Sequence, residues 1–389
     1  MVIHTVKSGE TLYQISKMYG VSPAKIIENN GIKNPDRLSV GKKLLILTPT
    51  KSYTVRGGDT LEKIAHRFGV TNRDLKRRNP YLSEKRGTYA EQVIAIKYDT
   101  PPHSCTILNG YYYRDTPKER LNLALAVADL ITVSAYTVKD GRLKRFFNDH
   151  PVTEAIKSAG RSAIMRIYAP ERTEVIEKGG QALEEDIIDS AKNGGYSGIC
   201  LSAWELLRDD RGRDLISHLK KQANDEGLTL TVECDCPIPD ISSLSDRCVL
   251  EYEKCTLDAI PSFDDGERKF YSEYAEKCEP SCTFIDIPSL GYIGNEAASL
   301  DEIDAVAYRY GKEILYDEDK KICYFDLIER GREKKRAVME SPENIIAKLG
   351  LLSSLGFMGM TFDIMRMPVA YLMIATNTFA DTYSSSPDI

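Results

Sequence analysis

The chain has 389 residues, of which 42% are apolar and 28% charged, and its formal net charge is −6. That apolar content excludes long disorder, and the acidic balance excludes a nucleic-acid scaffold, which needs a basic surface. No apolar run approaches the ~20 residues that cross a bilayer, so no membrane partner is expected.

The first ten residues, Met1 to Glu10, lack the basic start and apolar core of a signal peptide. Synthesis and first folding in a cytoplasm are therefore expected. The nine cysteines are an odd, scattered set and read as reduced thiols used as small apolar residues. Cys234/Cys236 and Cys278/Cys282 lack nearby histidines, so neither a metal nor a cofactor is expected.

Residues 3–48 and 53–98 repeat with an offset of 49. Val6-Lys-Ser-Gly9-Glu10-Thr11-Leu12 matches Val55-Arg-Gly-Gly58-Asp59-Thr60-Leu61, Ile15 matches Ile64, Gly20-Val21 matches Gly69-Val70, and Asn30 matches Asn79. Each unit parses as strand, helix, helix, strand. Glycine makes the turn after the first strand, and Leu12 and Ile15 carry helical spacing. Gly20 ends that helix and Ser22-Pro23 caps and opens the next.

These units resemble LysM modules over nearly their full length. The resemblance implies a shallow groove for N-acetylglucosamine-containing glycan, such as peptidoglycan or chitin. Its walls would be Gly9, Glu10, Thr11 and Leu12 with Asn30, Gly31 and Ile32 in the first copy. In the second they would be Gly58, Asp59, Thr60 and Leu61 with Asn79, Pro80, Tyr81 and Leu82. The same residue types also serve as turns, caps and core, so each position carries a purely architectural reading as well. Residues 98–104, with a stiff Pro101-Pro102 step, read as a short linker.

Beyond it, short apolar runs alternate with helical segments, which predicts a parallel α/β domain. Candidate strands are Thr106–Tyr112, Leu130–Tyr136, Ala163–Tyr168, Ile199–Ala203, Leu228–Glu233, Cys248–Tyr252, Thr283–Ile287 and Met358–Phe362. Intervening helices are placed at Pro117–Ala128, Pro151–Ser158, Gln181–Asn193, Arg213–Asp225 and Ser341–Leu355. Eight such alternations fit a (β/α)8 TIM barrel; an open doubly wound sheet is the weaker alternative, because no glycine-rich phosphate loop follows the first strand. The expected domains are residues 1–49, 50–99 and 104–389.

Several landmarks of the large domain resemble glycoside hydrolase family 18, in the branch with N-terminal LysM modules. They are Ala128–Tyr136 with Asp140-Gly141-Arg-Leu143, Ile287-Pro288-Ser-Leu-Gly291-Tyr292, and Gly356-Phe-Met-Gly359-Met-Thr-Phe362. Ala307–Gly311 with Tyr316-Asp317-Glu318 and Tyr324-Phe325 matches that family's small α+β insertion. Gly194–Leu206 resembles its signature strand, Asp-Gly-x-Asp-x-Asp-x-Glu, where the final glutamate is the acid and an aspartate holds the substrate's acetamide. Here the four carboxylate positions fall on Ser197, Cys200, Ser202 and Trp204. Glu205 stands one residue late, and a one-residue slip turns a strand side chain to the opposite face.

The family's sugar-stacking tryptophan in the last strand corresponds to Asp363, and the tyrosine of its seventh-strand motif to Leu290. Charges lie in or beside the predicted strands instead: Arg166, Glu233, Asp235, Glu251, Asp286 and Asp363, with Tyr252 retained. Arg166, Asp235, Tyr252, Asp286 and Asp363 could form a polar cluster at the barrel mouth. Such a group is either a salt-bridge network around Arg166 or a remodelled ligand site.

The sequence thus supports two functions. One is a glycan-binding protein of the cell wall or spore envelope with an inactive barrel, with envelope proteins as further partners. The other is an N-acetylglucosaminidase using Glu205 or a carboxylate from another strand.

Overall fold

A computed structural model describes residues 1–82, 88–98, 107–168, 172–202, 204–251, 265–287, 291–327 and 335–379. The first module is β1 (Val2–Thr5), α1 (Leu12–Tyr19), α2 (Pro23–Asn30) and β2 (Lys43–Ile46), with β1 antiparallel to β2. Thr11 caps α1 in a reciprocal box with Gln14, and Gly20 ends it at φ +64°, where a side chain would be strained. The second module repeats this as β3 (Pro49–Thr54), α3 (Leu61–Phe68), α4 (Asn72–Arg78) and β4 (Val93–Tyr98). Thr71 caps α4 in place of the first copy's Ser22. Each module encloses its own small apolar core, around Ile15 and Ile26 in one and Ile64 and Leu75 in the other.

The large domain continues with β5 (Ile107–Tyr112), α5 (Lys118–Val127), β6 (Leu130–Lys139), β7 (Arg142–Arg145), α6 (His150–Ser158), β8 (Ser162–Tyr168), α7 (Arg172–Ile176) and α8 (Gly180–Gly194). Then come β9 (Gly198–Ser202), α9 (Asp210–Asp225), β10 (Thr229–Cys234), α10 (Ile241–Leu244), β11 (Arg247–Leu250), α11 (Asp265–Lys277) and β12 (Thr283–Asp286). An insertion follows: β13 (Gly291–Ile293), β14 (Glu296–Ala298), α12 (Leu300–Arg309), β15 (Leu315–Asp317), β16 (Ile322–Leu327) and β17 (Lys335–Glu340). The last described elements are α13 (Pro342–Ser354), β18 (Gly359–Asp363) and α14 (Val369–Phe379).

Among the described residues, the parallel strands run β5-β6-β8-β9-β10-β11-β12-β18 and close through β18 to β5, an eight-stranded barrel. The open-sheet alternative is thereby excluded. The expected strand positions hold, with ends shifted by a residue or a few. The insertion is an antiparallel sheet of β13–β17 with α12 against it, and it has a core of its own around Ile303 and Phe325.

The sequence reading missed α14. From Ala370 to Asn377 every residue is buried, because the helix is covered on both sides, by α13 of the barrel and by α2 and α4 of the two modules. A helix apolar all round shows no amphipathic stripe to read. Leu45 and Leu47 of the first module and Ala95 and Tyr98 of the second join the barrel's main core. The modules are therefore seated on the barrel.

Candidate functional site

In both modules the turn after the first strand is tied down by its own acid. Glu10 accepts from the Lys7 backbone N–H at 2.7 Å and from His4 at 3.0 Å. Asp59 accepts from the Arg56 N–H at 2.9 Å and from Tyr53 at 2.6 Å. The Lys7 N–H holds the Glu10 carboxyl below its ordinary value, and the Tyr53 hydroxyl does the same for Asp59. These carboxylates shape the turns, leaving Gly9, Thr11, Gly58 and Thr60 exposed on the surface. Leu12 is core and Leu61 is half-buried.

The opposite wall differs from the expectation. Asn30 and Asn79 each clip the end of the second helix to the closing strand. The Asn79 amide donates to the Leu75 and Ala95 carbonyls at 2.9 and 2.8 Å and accepts from the Ala95 N–H at 2.9 Å; its exposure is 0%. Asn30 makes the matching bonds to Ile26 and Leu45. Pro80 and Leu82 are buried, and Tyr81 is held by the first module. Gly31 lies against Val369 of α14, and Ile32 is core. In the described arrangement these loops serve the fold and the docking of units.

Two exposed tyrosines beside the turns went unnoticed in the sequence. Tyr13, 63% exposed, follows Leu12 directly. Tyr89, 60% exposed, follows Thr88, whose hydroxyl donates to the Asp59 carbonyl at 3.1 Å, so it stands next to the Gly58–Thr60 turn.

At the barrel mouth, formed by the C-terminal strand ends, alternate side chains point inward. Arg166 of β8 and Glu233 of β10 pair bidentately, Nε to Oε1 and Nη2 to Oε2, both at 2.7 Å. Exposure is 6% for Arg166 and 0% for Glu233. The Tyr111 hydroxyl donates to the same Oε1 at 2.7 Å, the Cys200 thiol contacts it at 3.4 Å, and Ser202 adds a further hydrogen bond. The Arg166 guanidinium also sits over the Tyr111 ring at 4.8 Å. Burial alone would push the Glu233 carboxyl up, and the guanidinium more than reverses this, so it is held below its ordinary value.

Asp286, at the end of β12, is part-exposed and accepts from the Thr361 hydroxyl at 2.6 Å. Desolvation raises its carboxyl to about 6 against that hydrogen bond, with the Glu233 charge adding to the rise. Asp363 is raised by burial too, while its side chain accepts from the Met365 N–H at 2.8 Å.

The structure thus brings Arg166, Asp286 and Asp363 to the mouth, centred on Glu233. Asp235 does not belong to that centre; it pairs with Arg208 at 2.5 Å on the rim, on the loop beyond β10. Tyr252 and Leu290 lie outside the described residues. Cys200 and Ser202 face inward, where Glu233 fills the space before them. Ser197, just before β9, only accepts a backbone role, its hydroxyl donating to the Ala163 carbonyl at 3.2 Å. Trp204 is half-buried on the turn after β9, and Glu205 is exposed beside it.

Residues 4–47 and 53–97 match the LysM domain model, so the chain carries two tandem LysM domains. Over this region it is 38% identical across 97 residues to the cell wall-binding protein YocH of Bacillus subtilis, covering 24% of this chain and 33% of that one. This chain spans about a third of the length of the curated relatives it matches through these modules. The fold is similar to the spore cortex-lytic enzyme SleL of Bacillus megaterium, with TM-score 0.72 at 20% identity over 96% of this chain and 97% of that one. It is also similar to a chitinase from Chromobacterium violaceum, with TM-score 0.61 at 14% identity over 71% of this chain and 99% of that one.

Proposed function

We propose that this chain is a peptidoglycan-binding protein whose hydrolase-like barrel has lost catalysis, and that it works in the cell wall or the spore envelope. Tandem LysM domains, the likeness to a protein named as cell wall-binding and the SleL-like fold support the binding half and the spore setting. Other N-acetylglucosamine glycans, chitin among them, fit the same chemistry, and envelope proteins are further partners of the barrel.

The observation that carries the inactive half is the closed Arg166–Glu233 pair. It stands where alternate positions of the neighbouring strand, Cys200 and Ser202, would otherwise hold carboxylates. Glu233 is ionised, buried and bonded on both oxygens, so it has no proton to give a leaving group. The test is retention of the purified chain on peptidoglycan sacculi together with reducing-sugar release from the same sacculi. Retention without release supports the proposal.

One observation favours a second reading. Asp286 is a carboxyl raised to about 6 at the barrel's mouth, the state a general acid needs near neutral pH. An active N-acetylglucosaminidase would then use Asp286 rather than Glu205. Sugar release lost in Asp286→Asn and kept in Glu205→Gln would establish that reading.

A further inference from the structure

The two LysM modules are alike in sequence and opposite in surroundings. In the first, both segments that face the Gly9–Leu12 turn are taken up by the rest of the chain. Gly31 meets Val369, and a Cβ there would lie 2.8 Å from that valine's methyl. The Ser39 hydroxyl donates to the Asp304 carbonyl at 3.2 Å, and the Val40 carbonyl accepts from the Ile314 N–H at 2.9 Å. Gly41 approaches so closely that an added Cβ would stand 1.9 Å from the Ile314 carbonyl oxygen. Asp301, Asp304 and Tyr308 share one face of α12, at helical spacings of three and four, and receive Lys33 at 2.8 Å, Lys42 at 2.7 Å and Arg37 over the ring at 5.9 Å.

The second module is docked by its other loop. Lys25 of the first module is buried there, with Nζ donating to Asn79 Oδ1 at 2.8 Å, bonded to the Tyr81 hydroxyl and 4.3 Å above the Tyr81 ring. On the opposite flank Arg77 holds Asp129 of the barrel with both bonds at or below 2.9 Å. What this leaves open is the equivalent of residues 39–41. The offset is 50 at the closing strand, where the Gly41 N–H and the Glu91 N–H donate equivalently to the Val6 and Val55 carbonyls, so these positions are Tyr89, Ala90 and Glu91. Here Tyr89 and Ala90 are exposed, and the Thr88 hydroxyl joins them to the Gly58–Thr60 turn.

We infer that the modules divide the work. The first is an adaptor that seats the pair on the barrel. The second reads the glycan, with the exposed Gly58–Thr60 turn offering backbone groups to an acetamido group and the Tyr89 ring covering the apolar face of a sugar. This rests on the glycan-binding reading above and narrows it to one module.

The test is titration of the full-length chain with N-acetylglucosamine oligomers, comparing Tyr89→Ala with Tyr13→Ala, the exposed tyrosine beside the first module's turn. Both side chains are exposed, so thermal unfolding of both variants should match the parent. Tyr89→Ala is expected to weaken binding about tenfold, the loss of one ring stacking, while Tyr13→Ala leaves it unchanged. The reverse pattern, equal losses in both, or no loss in either overturns the division of labour. A parent chain that binds neither the oligomers nor sacculi overturns the glycan-binding reading itself.

Discussion

A guanidinium and a carboxylate locked together at the centre of a barrel are not free for other chemistry. Both oxygens of Glu233 are committed to Arg166, so removing the charge of one partner strands the other in a buried place. Glu233→Gln should cost ~3–5 kcal/mol in urea unfolding, and the paired change Arg166→Met with Glu233→Met should recover most of it. A loss under ~1 kcal/mol would mean that water reaches the pair, as at a surface salt bridge.

Asp286 has the opposite sign. Its native value of about 6 lies above the ~3.9 of an unfolded aspartate, so between those values the native chain keeps a proton that the unfolded chain has lost. Its contribution to stability is full below about pH 4 and is lost as pH rises through 6. Urea midpoints of Asp286→Asn should therefore exceed those of the parent at pH 7 and approach them at pH 4. Parallel curves would show that Asp286 titrates normally.

At the scale of elements, the docking of the first module rests on backbone approach, and Gly41 is where it is tightest. Gly41→Ala adds a Cβ at φ +84° against the Ile314 carbonyl, whereas Gly9→Ala meets a similar φ of +79° with nothing within 4 Å. The Gly9 change should cost roughly 1–2 kcal/mol for the backbone alone. The Gly41 change should cost clearly more by chemical denaturation; equal costs would contradict the docked arrangement.

These elements were unequally legible. The barrel strands could be read because buried runs such as Ile131–Val133 and Leu230–Val232 have no other use, and the glycine turns between module helices because only glycine sits there without strain. By contrast, α14 hides its period by being buried all round, and Asn79 looks the same in a sequence whether it meets a sugar or its own backbone. Nothing local marks Gly41 as an interface either, since its partner Ile314 lies far along the chain. The pairing of Arg166 with Glu233 was foreseeable in kind, as a charge network on barrel strands, and not in its closure.

For the molecule as a whole, the modules, the insertion and the barrel meet around α14, and the module pair is seated on the barrel. A hydrolase gains from such a mount by presenting substrate to its mouth; a binding protein gains a rigid base for whatever else it holds. The mouth separates the two, because its central carboxylate is spent, while Asp286 beside it is raised to about 6 and could carry a proton near neutral pH. The direct measurement is release of reducing ends from peptidoglycan sacculi by the full-length chain at pH 5 to 7, beside Asp286→Asn and Glu205→Gln. The account predicts that the chain is retained on the sacculi and releases no more than buffer does; release that disappears with either substitution would contradict it.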